Sequence, residues 1–319
     1  MTASIQTELQ ASLAFARDFM DQRNYTQARL ALLECLPLSR SVNGSNARET
    51  MNIIERLGIC LYQLGQYVEA IDYLGPVYKF HLGRTYKTPE PVLFVAKPYG
   101  LSLAGAGHHK DAIEVLNFAL DTSIALYGPN SSTTWLLRSK LSTSLRAAHE
   151  WRMLIALHET QTPQPTEVNE GPNRTFAQIM LRNIAVGYLK TGAPDMALHL
   201  IFQVLKADRA RHDLKTASSL DDLCFAAQVL QRLKRYDEAT AALEKARELS
   251  IPVFGANGNY RNMVTDRLRV LREDIARAHR HQERLAEHAA AKARRLAAEA
   301  AVAEASAADT PAEAIAADH

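Results

Sequence analysis

The chain has 319 residues and a net charge of +2, from 37 basic and 35 acidic side chains. That near balance argues against a protein that works by bulk attraction to nucleic acid, which needs a clear basic excess. Hydrophobic residues make up 47%, enough for a continuous core, and only 12 Pro and 14 Gly interrupt it, so long helices are permitted.

No run approaches the ~20 apolar residues that span a bilayer. The first residues, MTASIQTELQASLAFARDF, lack the basic leader and apolar stretch of a secretory signal. Cys35, Cys60 and Cys224 are far apart among apolar helix formers. They suit buried thiols in a reducing, cytoplasmic setting better than a disulfide framework.

In chain order, five segments share one pattern: FARDFMDQRNYTQARLAL, LGICLYQLGQYVEAIDYL, YGLSLAGAGHHKDAIEVL, IAVGYLKTGAPDMALHLI and AAQVLQRLKRYDEATAAL. Each carries a small residue where a second helix begins, at Ala28, Ala70, Ala112, Ala197 and Ala239, spaced by 42, 42, 85 and 42 residues. Since 85 is 42 plus 43, a degenerate copy belongs between the third and fourth of these, with Leu154 in the register position. Apolar residues recur at helical spacing within each copy, as in Leu57, Cys60, Leu61 and Leu64. Gly65, Gly107 and Gly192 stand where a left-handed residue closes the first helix.

Six hairpins are therefore predicted near 9–38, 51–80, 91–126, 132–159, 175–208 and 218–249, stacked into an all-α solenoid over 9–261. A leucine in the register position predicts a looser or shifted fourth pair. The polar connector at 160–174, with Pro163, Pro165 and Pro172, reads as a hinge. Beyond it, Val264, Leu268, Leu271 and Ile275 keep a helical stripe. This predicts a capping and extended C-terminal helix over 262–303, open to weak coiled-coil self-association, and a disordered tail over 304–319.

Leu57-Gly58, Tyr62, Gly65, Tyr67, Ala70 and Leu74 together resemble the tetratricopeptide motif. The period is about eight residues longer than the ordinary 34, and so resembles the repeats of kinesin light chains and their bacterial and fungal relatives. The Gly128-Pro129-Asn130 loop and LRNIAVGYLKTG at 181–192, with Arg182, Asn183, Tyr188 and Gly192, carry the closer similarity. The resemblance implies a right-handed superhelix whose concave wall, made by the first helices, binds a peptide or protein segment. No heptad coiled coil precedes the repeats, so the similarity is one of architecture.

On that reading the inward residues are Arg17, Lys97, Arg146, Arg182, Lys190, Gln228 and Arg232, with Lys140 and Asn183 beside them and Tyr62 as an apolar neighbour. Asp21, Glu55 and Asp221 are fewer, and Leu101 and Val186 are apolar neighbours. The groove is expected to favour an acidic segment with apolar anchors. The Lys-and-Asn clamp of chaperone-binding relatives is not reproduced in the first repeats.

Other chemistry is not expected. Gly100, Gly105 and Gly107 beside Lys110 lack the strand that a phosphate loop follows. His279, His281 and His288 lack ligand spacing. The apolar helical contexts of the three cysteines suit packing and not a reactive thiol. The reading is a binding scaffold without cofactor, metal, nucleic acid or membrane. Its alternatives are a ligand-sensing regulator that closes its superhelix and, remotely, an enzyme.

Overall fold

The structure, a computed structural model, describes residues 2–84, 86–161, 171–255 and 258–308. Every regular element within them is an α-helix: α1 (Thr2–Asp21), α2 (Tyr25–Asn43), α3 (Arg48–Gln63), α4 (Tyr67–Leu82), α5 (Glu90–Gly105), α6 (His109–Tyr127), α7 (Ser132–Ala147), α8 (Trp151–Thr160), α9 (Arg174–Lys190), α10 (Pro194–His212), α11 (Ala217–Arg232), α12 (Tyr236–Phe254) and α13 (Asn259–Ala308). Consecutive helices pair into six hairpins, each packed on the next, and α13 closes the row against α12.

The same devices recur at the same interval. Each hairpin turns on one left-handed residue, at Arg23, Gly65, Gly107, His149, Gly192 and Lys234. Twelve residues before each register residue stands a buried small side chain: Ala16, Gly58, Gly100, Ser142, Ala185 and Ala227. The need is steric. A Cβ on Gly58 would stand 2.6 Å from Leu74 Cγ, and one on Gly100 would stand 2.9 Å from Leu116 Cδ2. Buried polar pairs join one hairpin to the next: Ser39 to Thr50 (2.9 Å), Ser123 to Thr134 (2.9 Å), and Ser219 donating to Asp208 (3.0 Å).

The fourth pair is complete. Although α8 has only 10 residues, Leu154 is fully buried. Its extra bulk is absorbed by the next first helix, where Gly187 leaves space that a Cβ would fill at 3.2 Å from Leu154 Cδ2. A single core runs from Leu93 to Leu271 straight through this point. The expected hinge lies mostly outside the described residues, but the helices flanking it, α8 and α9, pack together. The core instead divides between the second and third hairpins. A separate cluster from Leu9 to Val95 meets the larger one through Tyr62, Tyr78 and Tyr99, with the Tyr78 and Tyr99 rings 5.4 Å apart.

The glycines considered for a phosphate loop are spent on packing: Gly100 lies against Leu116, Gly105 against the Tyr67 ring, and Gly107 makes the turn. The last helix runs to Ala308, beyond the expected 303, and 309–319 lie outside the described residues.

Candidate functional site

One wall of the array carries four depressions in succession. They lie between α1, α3 and α5; between α5 and α7; between α7, α9 and α11; and between α11 and α13. The last is the largest, about 750 Å³, and the third is about 340 Å³. Three of them are lined in part by the same positions of the repeat, 18, 15, 14 and 11 residues before the register residue. These are Asn52, Glu55, Arg56 and Ile59 in the second copy, and Ile179, Arg182, Asn183 and Val186 in the fifth.

Met263, Asp266, Arg267 and Val270 occupy the same four positions if the register is carried forward 42 residues from Ala239 to His281. The start of α13 is thus the first helix of a seventh unit that has no second helix. Val264, Leu268 and Leu271 bury its inner side.

The expected groove residues divide. Arg17, Lys97, Arg146, Arg182, Asn183 and Gln228 line the depressions. Lys140, Lys190 and Arg232 are exposed on first helices but line none of these four. Tyr62 is half-buried in the seam between the two core clusters, its ring 6.3 Å from Tyr67. Sequence reasoning missed Phe94, which is 59% exposed and shared by the first two depressions, and Phe225 in the third. Their positions in the repeat would have found them.

Arg182 is not a free cation. Its Nε donates to both carboxylate oxygens of Asp222 (2.9 and 2.7 Å), and its Nη2 donates to Asp208 Oδ2 (3.1 Å). Asp222 stands where the second to fifth copies bury Ile53, Val95, Leu137 and Met180. Burial pushes its carboxyl up to about 6. Arg182 pulls against that shift, and neighbouring Asp208 and Asp221 add to it. Asn183 is also engaged, donating to Ser142 Oγ (2.9 Å) and Thr143 Oγ1 (3.1 Å). Two of the expected ligand-binding residues therefore hold repeats together.

Glu55 and His81 are a smaller version of this arrangement, 3.2 Å apart, and burial raises the Glu55 carboxyl while His81 opposes it. Arg17, Lys97, Lys140, Arg146, Lys190 and Arg232 make no ion pair among the described residues. Acids stand close to several of them, so each depression mixes both signs, as Arg17 with Asp21 and Lys97 with Glu90.

All three cysteines are buried, and burial pushes the Cys35 and Cys60 thiols up to about 11. Among the described residues no group of three His, Cys, Asp or Glu could hold a metal ion, and no helix is long and apolar enough to cross a membrane.

No protein-family model matches the sequence, and no curated protein matches it. Solved structures do match. A Podosopora anserina protein of kinesin light chain type, with nearly identical TPR-like repeats, is 17% identical at a TM-score of 0.50, covering 65% of this chain and 97% of that one. BtubC (BKLC) from P. vanneervenii is 11% identical at a TM-score of 0.48, covering 80% and 94%. A Rap protein complexed with competence and sporulation factor is 13% identical at 0.40, covering 87% and 80%. With the repeat devices above, the first of these likenesses defines the fold: the chain is a tetratricopeptide-like helical-repeat protein, with repeats of the kinesin light chain length.

Proposed function

We propose that the protein is a non-enzymatic interaction scaffold whose wall of first helices holds an extended peptide or protein segment. The observation that carries this reading is the recurrence of the same repeat positions in the linings of three depressions along the first helices. A row of such hollows suits an extended partner that places successive side chains in them. Phe94 and Phe225 offer apolar seats, and Arg146 in the third depression, with Lys140 exposed on the same first helix, favours an acidic residue nearby. A cytoplasmic setting accords with three buried free thiols. A second reading, sensing by closure of the superhelix, is supported by the tyrosine seam between the second and third hairpins.

A displayed library of short peptides tests the first reading. Wild type is expected to enrich segments with apolar and acidic residues, and Lys140→Glu/Arg146→Glu to lose that enrichment at an unchanged melting temperature. Neither exposed side chain makes an ion pair, so the fold should not suffer. Equal enrichment by both proteins, or none by wild type, would remove the proposal.

A further inference from the structure

The joint between the second and third hairpins is packed, but from different parts than its neighbours. Where other copies bury Leu57, Leu141, Ile184, Ala226 and Leu268, the third copy carries Tyr99, half-buried. Its ring lies 5.4 Å from that of Tyr78, which stands where the first, third and fifth copies bury Leu36, Leu120 and Leu205. Gly75 makes the room, since a Cβ there would stand 3.3 Å from the Tyr99 hydroxyl. Aliphatic side chains interlock across a packed joint, whereas flat rings over a glycine leave surfaces that slide.

Two further features single out this joint. Its facing helices, α4 and α5, both carry an interior proline, Pro76 and Pro98, which no other joint among the described helices has on both sides. Each proline removes one helical hydrogen bond, at the carbonyls of Asp72 and Phe94. The polar staple is also missing. At the positions of Ser39 and Thr50, and of Ser123 and Thr134, this joint has His81 and Val92. Valine has no hydroxyl, and His81 turns back to Glu55 of its own hairpin, 3.2 Å away.

We propose that this joint is a pivot, about which the first two hairpins turn as one body against the rest of the array, and that the turn sets the width of the first depression. The first two hairpins have a core of their own from Leu9 to Val77, and among its buried residues only Val95 lies beyond the joint. Of the four depressions, only the first has walls on both sides: Arg17, Asp21 and Arg56 from α1 and α3, and Phe94 from α5. Phe94, whose carbonyl Pro98 leaves free, therefore moves toward or away from the two arginines as the joint turns. The use of such a turn rests on the closure reading, whereas the turn itself is measurable on the free chain.

Pulsed electron resonance between nitroxides on the full-length chain tests the pivot, and the native thiols do not interfere because they are buried. Leu30→Cys/Ala156→Cys and Glu114→Cys/Ala241→Cys place labels at equivalent exposed positions, three hairpins apart in each pair. Only the first pair has the α4–α5 joint between its labels. Its distance distribution is expected to be about twice as wide as that of the second pair. His81→Ser/Val92→Thr installs the hydroxyl pair that joins the first hairpin to the second and the third to the fourth, and is expected to narrow the first distribution to the width of the second. Equal widths in the unstapled chain, or a stapled chain as broad as the unstapled one, would overturn the pivot. A broad first distribution beside scattering that no ligand changes would remove the closure reading and leave the pivot standing.

Discussion

Arg182→Met removes the only cation among the described residues that pairs with the buried carboxylates of Asp208 and Asp222. The side chains of Asp208 and Asp222 are 7% and 6% exposed, so neither can be rescued by water without opening the interface between the fifth and sixth hairpins. Losing one partner from a buried ion cluster costs about 3–5 kcal/mol, which for a chain of this size lowers the melting temperature by roughly 4–8 °C.

The deficit has a definite pH dependence. Burial already holds Asp222 at about 6, and without Arg182 it moves higher. A carboxyl whose folded value lies above its unfolded value gives stability that is present at low pH and lost as pH rises through the folded value. The deficit of Arg182→Met should therefore be larger at pH 7.5 than at pH 5. Arg182→Met/Asp222→Met places methionine where the fifth copy already carries Met180, and should recover the part of the loss due to Asp222, while Asp208 still lacks its cation. Urea unfolding followed by circular dichroism measures all three quantities. A single variant within about 1 kcal/mol of wild type, with no pH trend, would refute the account of this cluster.

Two further predictions concern the repeat devices. Gly58→Ala gains helix propensity of up to about 1 kcal/mol but drives a Cβ into Leu74 Cγ, so net destabilisation of about 1–2 kcal/mol is expected in the same unfolding assay. A more stable variant would show that the hairpin has slack. Lys234→Gly relieves a left-handed residue at φ +61° and should stabilise by about 1 kcal/mol. A loss instead would mean that the lysine side chain matters at that turn.

The helical-repeat class and the hairpin positions were readable because one signal, a small residue opening each second helix, survives in five copies. Gly65, Gly107 and Gly192 marked half of the turns. The other half escaped because Arg23, His149 and Lys234 adopt the same left-handed geometry without the residue type that announces it. The fourth pair looked weak because Leu154 was judged alone, whereas its compensation, Gly187, sits in the following repeat. Distance in sequence also hid the true role of Arg182, whose acids are 26 and 40 residues away. The seventh first helix was missed for a simple reason. A search keyed on the opening of second helices cannot see a copy that has none.

Everything about function rests on ligand docking against the first helices and not on the outer face. A benzophenone side chain can be placed at Phe94, in the groove, or at Val68, 65% exposed on second helix α4. Each protein is then irradiated with the peptide that the display experiment selects. The account predicts a covalent adduct from position 94 and none from position 68. Adducts from 68 alone, or equally from both, would contradict it.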